Sequence, residues 1–489
     1  MSDDETLDPQ DWASVNRLAH RMVDDVFAYL RDVGERPVWR PLPPAIRQHF
    51  QGPVPQQPEG EEHAYRDFSE YVFPYPLGNI HPRFWGWVNG TGTLIGVLSD
   101  MLAATMNPND CGFDQTAPLV DLQVIDWCKE MLGFYRKASG HLVSGGSEAN
   151  LIGLAVARNA RANFDARKLG MAGAPKLMTL YCSTETHYSA QKAVELLGMG
   201  SDSLRRIPVD NEFRIDVPTL RTAIQRDLDL GHKPFCVIGN AGTVNTGAVD
   251  PLDDLAEICK QHDLWFHVDG AFGAMCALTP ALRPMIRGME YADSLAFDLH
   301  KWMYMPYDIG CILVRDSAAH RNTFAMTPEY LVRIERGVSA PGSYLSDYGF
   351  QLSRGFRALK AWMSIKTYGV EKLARMVEKN VQQAHVLAQR ITEHPELELL
   401  APVPLNIVCF RPSPDGLSEA EANDLTKELL MQIHESGVAV PSYTTLKGRF
   451  AIRVSITNHR TQLRDIDLFL NEIIKRTKIL KENIRRHHD

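Results

Sequence analysis

Trp12, Val15, Leu18, Met22, Val26 and Leu30 recur every three or four residues, which predicts an amphipathic helix near the start of the chain. The next stretch, from "ERPVWRPLPP" to "QGPVPQQPEGEEHA", is rich in proline and reads as an extended connection. A helix with one apolar face and a long tether behind it is suited to clasping a distant surface. From about residue 86 to 375 the period changes. Short apolar runs such as "KLMTLYCS", "FCVIGNAG", "LWFHVDG", "SLAFDLH" and "GCILVRD" alternate with helical stretches such as "VPTLRTAIQRDLDL" and "PLDDLAEICKQH". That alternation predicts an α/β fold with a mostly parallel sheet covered on both faces. From about residue 376, "GVEKLARMVEKNVQQAHVLAQRITEH" precedes "LNIVCFRPS", a further helix and "RFAIRVSIT", the order of a small α+β domain. The expected division is 1–85, 86–375 and 376–489.

Several chemically capable residues fall at the predicted strand ends, where ligands of such sheets bind. Ser144, Gly145, Gly146 and Ser147 stand just before an apolar-periodic helix, and small residues at a helix N-terminus suit an anion such as phosphate. Neither G-x-G-x-x-G nor a G-K-[ST] sequence is present there. Asp269 follows "LWFHV" directly, with Gly270 and Ala271 leaving room for something flat. His187 follows "KLMTLYCS". Thr243, Asn245 and Asp250 lie in the loop after "FCVIGNAG", as hydrogen-bonding groups or as turn residues. Lys301 ends the run "SLAFDLHK", and an unpaired charge there is costly unless the lysine reaches water, a partner or a reaction. A phosphate cradle, a carboxylate, a flat-ring neighbour and a lysine on one sheet edge together suit pyridoxal 5'-phosphate.

"SLAFDLHKW", "HVDGAFG", "SGGSEANL" and "THYSAQKA" resemble the motifs of the group II pyridoxal-phosphate-dependent amino-acid decarboxylases, over about residues 65 to 470. The resemblance implies a fold-type I, aspartate-aminotransferase-like architecture and a homodimer with a shared active site. It implies that Lys301 is the Schiff-base lysine, that Asp269 pairs with the pyridine nitrogen, that Ala271 lies under the ring and that His187 stacks on it. Gly145, Gly146 and Ser147 are implied as phosphate ligands, helped by Thr243, with Asp298 and His300 nearby. Asp298 is Asn in some members, and Val244 stands where a second Thr is common. Members use a tyrosine on a mobile loop as proton donor. In "YLVRIERGVSAPGSYLSDYGFQLSRGF" Tyr344 is the expected donor and Tyr348 the second choice, with Gly337, Pro341 and Gly342 giving flexibility. Related aldehyde synthases carry Phe there, so tyrosine favours simple decarboxylation.

The expected substrate is an aromatic L-amino acid. Phe73, Tyr75, Phe84, Trp85 and Trp87 cluster where the family places its pocket, and aromatic walls suit an aromatic side chain. An acidic amino acid is the alternative, for which Arg83 would be the extra cation, and Arg453 is a further substrate-site candidate. Composition narrows the rest. The net charge of −8 argues against a nucleic-acid partner. The 8 cysteines include no CxxC pair, which disfavours a structural metal or disulfide framework and suits a reducing, cytoplasmic setting. The acidic, polar N-terminus is not a signal peptide, and no apolar run reaches the length of a membrane span.

Overall fold

The computed structural model describes residues 6–326, 336–339 and 344–488. Two sheets carry the fold. The larger contains β2 (Ser139–Val143), β3 (Met178–Ser183), β4 (Leu204–Ile207), β5 (Lys233–Asn240), β6 (Trp265–Asp269), β7 (Ser294–Asp298) and β8 (Gly310–Val314). The smaller joins β1 (Phe84–Trp85) to β9 (Leu397–Leu399), β10 (Ile407–Pro412), β11 (Val440–Leu446) and β12 (Arg449–Ser455).

The large sheet has the order β2-β8-β7-β6-β5-β3-β4. Pairs β7–β6, β6–β5, β5–β3 and β3–β4 are parallel, and only β8 runs against its two neighbours. The carboxyl ends of β2, β3, β5, β6 and β7 therefore share one edge. Every residue of β3, β6, β7 and β8 is buried, as expected where helices cover both faces of a parallel sheet. The helix Gly146–Arg161 packs on this sheet through Ala149, Ile152, Leu154 and Val156. Gly153 lies on the same helix, where an added Cβ would come within 2.7 Å of the His267 ring.

The small sheet is antiparallel except that β1 pairs in parallel with β11. A strand from the chain's first hundred residues is thus built into the C-terminal sheet. Its core is sealed by Trp85, Phe410, Phe469 and Ile452. The N-terminal helix Trp12–Arg31 is amphipathic as its spacing predicts, but buries only Leu18 against the rest of the chain. Among the described residues, no helix is long and apolar enough to cross a membrane.

Candidate active site

Lys301 sits in the short helix Leu299–Trp302 that follows β7. Its ammonium lies 2.8 Å from Asp298 Oδ2, and its side chain is 22 % exposed. Burial pulls the Lys301 pKa down, but the charge and hydrogen bond of Asp298 more than offset this and leave it above the usual lysine value. The charge that looked misplaced in the sequence has a partner three residues away. Asp298 is 1 % exposed, and its other oxygen, Oδ1, is buried without a hydrogen bond. His300 Nε2 is 3.7 Å from Asp298 Oδ2. The His300 Nδ1 accepts the Ile309 backbone N–H at 3.1 Å, so the neutral ring carries its proton on Nε2. Burial lowers the His300 pKa.

The glycine turn after β2 closes over this group. A Cβ on Gly145 would meet the His300 ring at 3.1 Å, and one on Gly146 would meet Asp298 Oδ2 at 3.1 Å and the Ala271 Cβ at 3.7 Å. Ser147 is exposed in the first turn of the following helix. Ser144 is held by Glu148, whose Oε2 accepts both its backbone N–H and its hydroxyl. Thr243 is buried beyond β5, with its hydroxyl 3.2 Å from that of Thr246. Asn245 bonds Glu185 and Thr444, and Asp250 takes the amides of Ile215 and Asn240.

Asp269 ends β6 and is 6 % exposed. Its Oδ1 accepts the Ala271 N–H at 3.1 Å and its Oδ2 accepts Asn150 at 2.8 Å. His187 lies beyond β3, its Nδ1 2.9 Å from the Ser189 hydroxyl, and burial lowers its pKa. The Asn150 amide bridges Asp269 to the Ser189 hydroxyl that meets His187, so the two groups share one neighbourhood, and the charges of Asp269, Lys301 and Asp298 act on the His187 ring.

The aromatic candidates separate. The Trp85 ring is 1 % exposed in the core of the small sheet, 5.3 Å from Phe469, with its indole N–H on Thr461 at 3.1 Å. This corrects its reading as a pocket wall, because a sealed ring offers no face to a substrate. Phe73 stacks near Tyr29 at 4.3 Å and Tyr75 lies under Arg40 at 5.6 Å, both within the N-terminal segment. Arg83 is engaged by the Val438 carbonyl and by Asp465. Arg453 is buried on β12 and gives its donors to the carbonyls of Val244 and Asn245 and to Ser442. It braces the loop that carries Thr243, and the sequence reading as a substrate-facing cation does not match that geometry. Tyr344 is 6 % exposed, packed on Gly112 and 5.9 Å from Phe113. Tyr348 lies 5.1 Å from His320. Pro341 and Gly342 fall outside the described residues.

The sequence put Trp87 near the pocket but gave no sign of how its loop meets the lysine. Residues 86–92 lie against the lysine turn so closely that a Cβ on Gly90 would sit 1.6 Å from the His300 carbonyl oxygen. Tyr307, whose ring is 4.3 Å from His300, donates to Asn89 at 2.8 Å. Trp87, two residues earlier, is 52 % exposed. Gly90→Ala is therefore expected to force the loop off the lysine turn. Overpacking of this kind costs about 1–3 kcal/mol, and the variant should bind pyridoxal phosphate more weakly in equilibrium dialysis.

A lysine paired with a buried carboxylate, a second oriented carboxylate and a small-residue helix N-terminus at one edge of this sheet fit a fold-type I pyridoxal-phosphate enzyme. The pyridoxal-dependent decarboxylase conserved domain matches residues 43–413. The aromatic-L-amino-acid decarboxylase of Bacillus atrophaeus is 34% identical, over 96% of each chain. A phenylacetaldehyde synthase of Petunia hybrida is 28% identical, over 96% of this chain and 94% of its own. The crystal structure of Oryza sativa TDC with PLP and tryptamine superposes with a TM-score of 0.89 at 25% identity, covering 97% of this chain and all of that one. The chain belongs to the pyridoxal-dependent decarboxylase family, and it is a pyridoxal-phosphate-dependent amino-acid decarboxylase.

The residues fit that cofactor. Asp298 Oδ1 is a buried acceptor without a partner, Gly145 and Gly146 leave a hollow that Cβ atoms would fill, and Asp269 is held as an oriented acceptor.

Proposed function

We propose that the chain converts an aromatic L-amino acid to its amine. The single observation that carries the chemistry is the grouping of Lys301, Asp298, Asp269 and His187 beyond the carboxyl ends of β7, β6 and β3, on one edge of the sheet. Bound there, the cofactor supplies an electron sink for the carbanion left by loss of CO₂. Lys301 is the attachment point. Asp269 would hold a proton on the ring nitrogen by charge, with His187 on one ring face and Ala271 on the other. Gly145, Gly146, Ser147 and Thr243 would hold the phosphate. His300 stays neutral and keeps its Nε2–H toward Asp298. Asp298 balances Lys301 while the lysine is free, which reconciles an acid with a phosphate-binding neighbourhood.

Two observations support an aromatic substrate. Trp87 places aromatic surface on the loop pressed against the lysine turn, and Tyr307, which follows that turn and donates to Asn89 of the loop, adds a second ring beside it. Arg83, the cation that an acidic substrate would need, is committed to Val438 and Asp465. Relatives named tryptophan decarboxylase, tyrosine decarboxylase and phenylacetaldehyde synthase point the same way. Steady-state kinetics on a panel of Trp, Tyr, Phe, Glu, Asp and cysteine sulfinate tests this. The highest kcat/KM should fall on an aromatic member, and a preference for an acidic one would overturn the reading.

Tyr344 is the proposed donor of the proton that returns to the substrate carbon, and Tyr348 the alternative. Substitution by Phe, one tyrosine at a time, should turn the products from CO₂ and amine to CO₂, aldehyde, ammonia and hydrogen peroxide, with uptake of O₂ and water, when the donor is removed. Tyr330, which lies outside the described residues, is the third arm, and the switch occurring there alone would overturn the assignment.

The chain is further proposed to be a homodimer. Trp12, Val23 and Phe27 on the first helix and Val97, Met101, Leu102 and Met106 on the helix Leu94–Met106 leave apolar faces open to solvent in the single chain. A cytoplasmic location suits the cysteines, all eight of which are free and buried.

A further inference from the structure

One polar chain runs through the large domain behind the site, and its hydrogen bonds can be oriented without ambiguity. The Trp265 indole N–H can only donate, and it meets the Ser294 hydroxyl at 2.7 Å. The same hydroxyl lies 2.7 Å from His267 Nδ1. His267 Nε2 lies 2.9 Å from Asn150 Oδ1. The Asn150 amide carries two donors, one on Asp269 Oδ2 at 2.8 Å and one on the Ser189 hydroxyl at 3.1 Å. That hydroxyl lies 2.9 Å from His187 Nδ1, which also accepts the Ser189 backbone N–H at 3.3 Å.

The direction of every bond follows from the two ends. A carboxylate only accepts, so the group facing Asp269 is the Asn150 NH₂, and Asn150 Oδ1 faces His267. Oδ1 only accepts, so His267 carries its proton on Nε2 and accepts at Nδ1. Ser294 therefore donates to His267 and accepts from Trp265. At the other branch the Ser189 backbone N–H can only donate, so His187 Nδ1 is an acceptor, and the Ser189 hydroxyl accepts from Asn150 and donates to that nitrogen. Neutral His187 then holds its proton on Nε2. Burial pulls the His267 pKa down to about 4 and lowers that of His187, so both rings are neutral near pH 7. The charged and titratable groups around this branch are Asp269, Asp298, Lys301 and Lys192.

We propose that Asn150 is a positioning residue of the active site: the branch point of a one-way hydrogen-bond chain from Trp265 to His187 that fixes Asp269 as an acceptor and His187 as its Nε2–H tautomer. The consequence is specific. His187 presents a donor at Nε2 and has no free lone pair there, so it covers and orients the cofactor and does not act as a base through that atom. Gly153 is part of the same device. It lets the His267 ring lie against the helix, where an alanine Cβ would come within 2.7 Å of Cε1.

The inference rests on the assignment of Asp269 and His187 to the cofactor site, and the tests separate the two. The first needs no substitution. In holoenzyme labelled with ¹⁵N-histidine, long-range ¹⁵N–¹H correlation should show both His187 and His267 protonated at Nε2 only. A His187 protonated at Nδ1 would overturn the chain, while normal pyridoxal phosphate on Lys301 would leave the site assignment standing. The second uses Asn150→Leu, of similar volume but without hydrogen bonds. The dissociation constant for pyridoxal phosphate should rise about tenfold or more, as for loss of a hydrogen bond to a charged group, and the pH titration of the cofactor absorbance should shift. A merely space-filling Asn150 predicts wild-type values for both. Gly153→Ala and Ser294→Ala, which touch neither Asp269 nor His187, should shift the same titration in the same direction. An unchanged titration in both would overturn the proposal even if Asn150→Leu fails to fold.

Discussion

Lys301→Ala protein is expected to lose turnover by roughly 10³-fold or more, the scale on which loss of a central catalytic side chain is felt. It should also lose the borohydride-fixable link to pyridoxal phosphate. The structure adds a second effect. Lys301 is the 2.8 Å counter-ion of Asp298, a carboxylate 1 % exposed with one oxygen already unpaired. Removing the ammonium leaves a buried charge uncompensated, a loss of about 3–5 kcal/mol for a broken buried pair unless the carboxyl takes a proton. The cofactor-free variant should therefore melt below cofactor-free wild type at pH 7, and the gap should close in the Lys301→Ala, Asp298→Asn double variant. Scanning calorimetry of the three cofactor-free proteins measures this. A variant that keeps the covalent cofactor would refute the assignment of Lys301.

The largest effect on stability is expected at Arg354, far from the lysine in sequence. The residue is 3 % exposed, and its guanidinium bonds Asp121, the Leu142 carbonyl and the Asp110 carbonyl. Asp110 and Asp121 are fully buried, and burial followed by the charge of Asp121 pushes the Asp110 pKa up to about 8. Arg354→Met would take from the buried Asp121 its hydrogen-bonded cation, leaving only the more distant charge of Arg357, and a loss of about 3–5 kcal/mol is expected. The sign with pH follows from proton counting. Folded Asp110 keeps its proton up to about pH 8, while the unfolded side chain releases it near 3.8. The folded state thus binds more protons between these values, and this group's contribution falls as pH rises from about 4 to 8. Asp110→Asn should remove that slope, so that its melting temperature relative to wild type improves from pH 5 to pH 8.5. A melting curve for Arg354→Met equal to wild type would contradict the account.

The central strands were readable because burial on both faces leaves mostly apolar runs, as in "GCILV" and "FCVI". Two strands of the same sheet were not. β2 is five residues with Gly and His inside, and β4 is an edge strand whose two arginines point partly to solvent. Of the small domain's strands, β10 and β12 were legible, while β11, with alternating exposed Tyr443 and Thr445, was not. Strand ends meet at one edge by topology alone, so Lys301, Asp269 and His187 could be brought together on paper. Trp85 could not be separated from Trp87, because an aromatic in a core and one at a pocket have the same local pattern. The structure separates them, with Trp85 under β12 and Trp87 open. Arg453 and Asn150 were opaque for another reason. Their partners lie 208 and 119 residues away, and no local spacing records such contacts.

The central claim is decarboxylation of an aromatic amino acid at a cofactor held by Lys301. A product balance tests it most directly: purified holoenzyme with L-Trp, L-Tyr or L-Phe in a closed vessel, with CO₂, amine, aldehyde, ammonia, peroxide and oxygen measured together. The account predicts CO₂ and amine in equal amounts with no oxygen uptake from at least one of the three. Equal amounts of aldehyde, ammonia and peroxide with oxygen consumed, or no CO₂ from any of them, would contradict it.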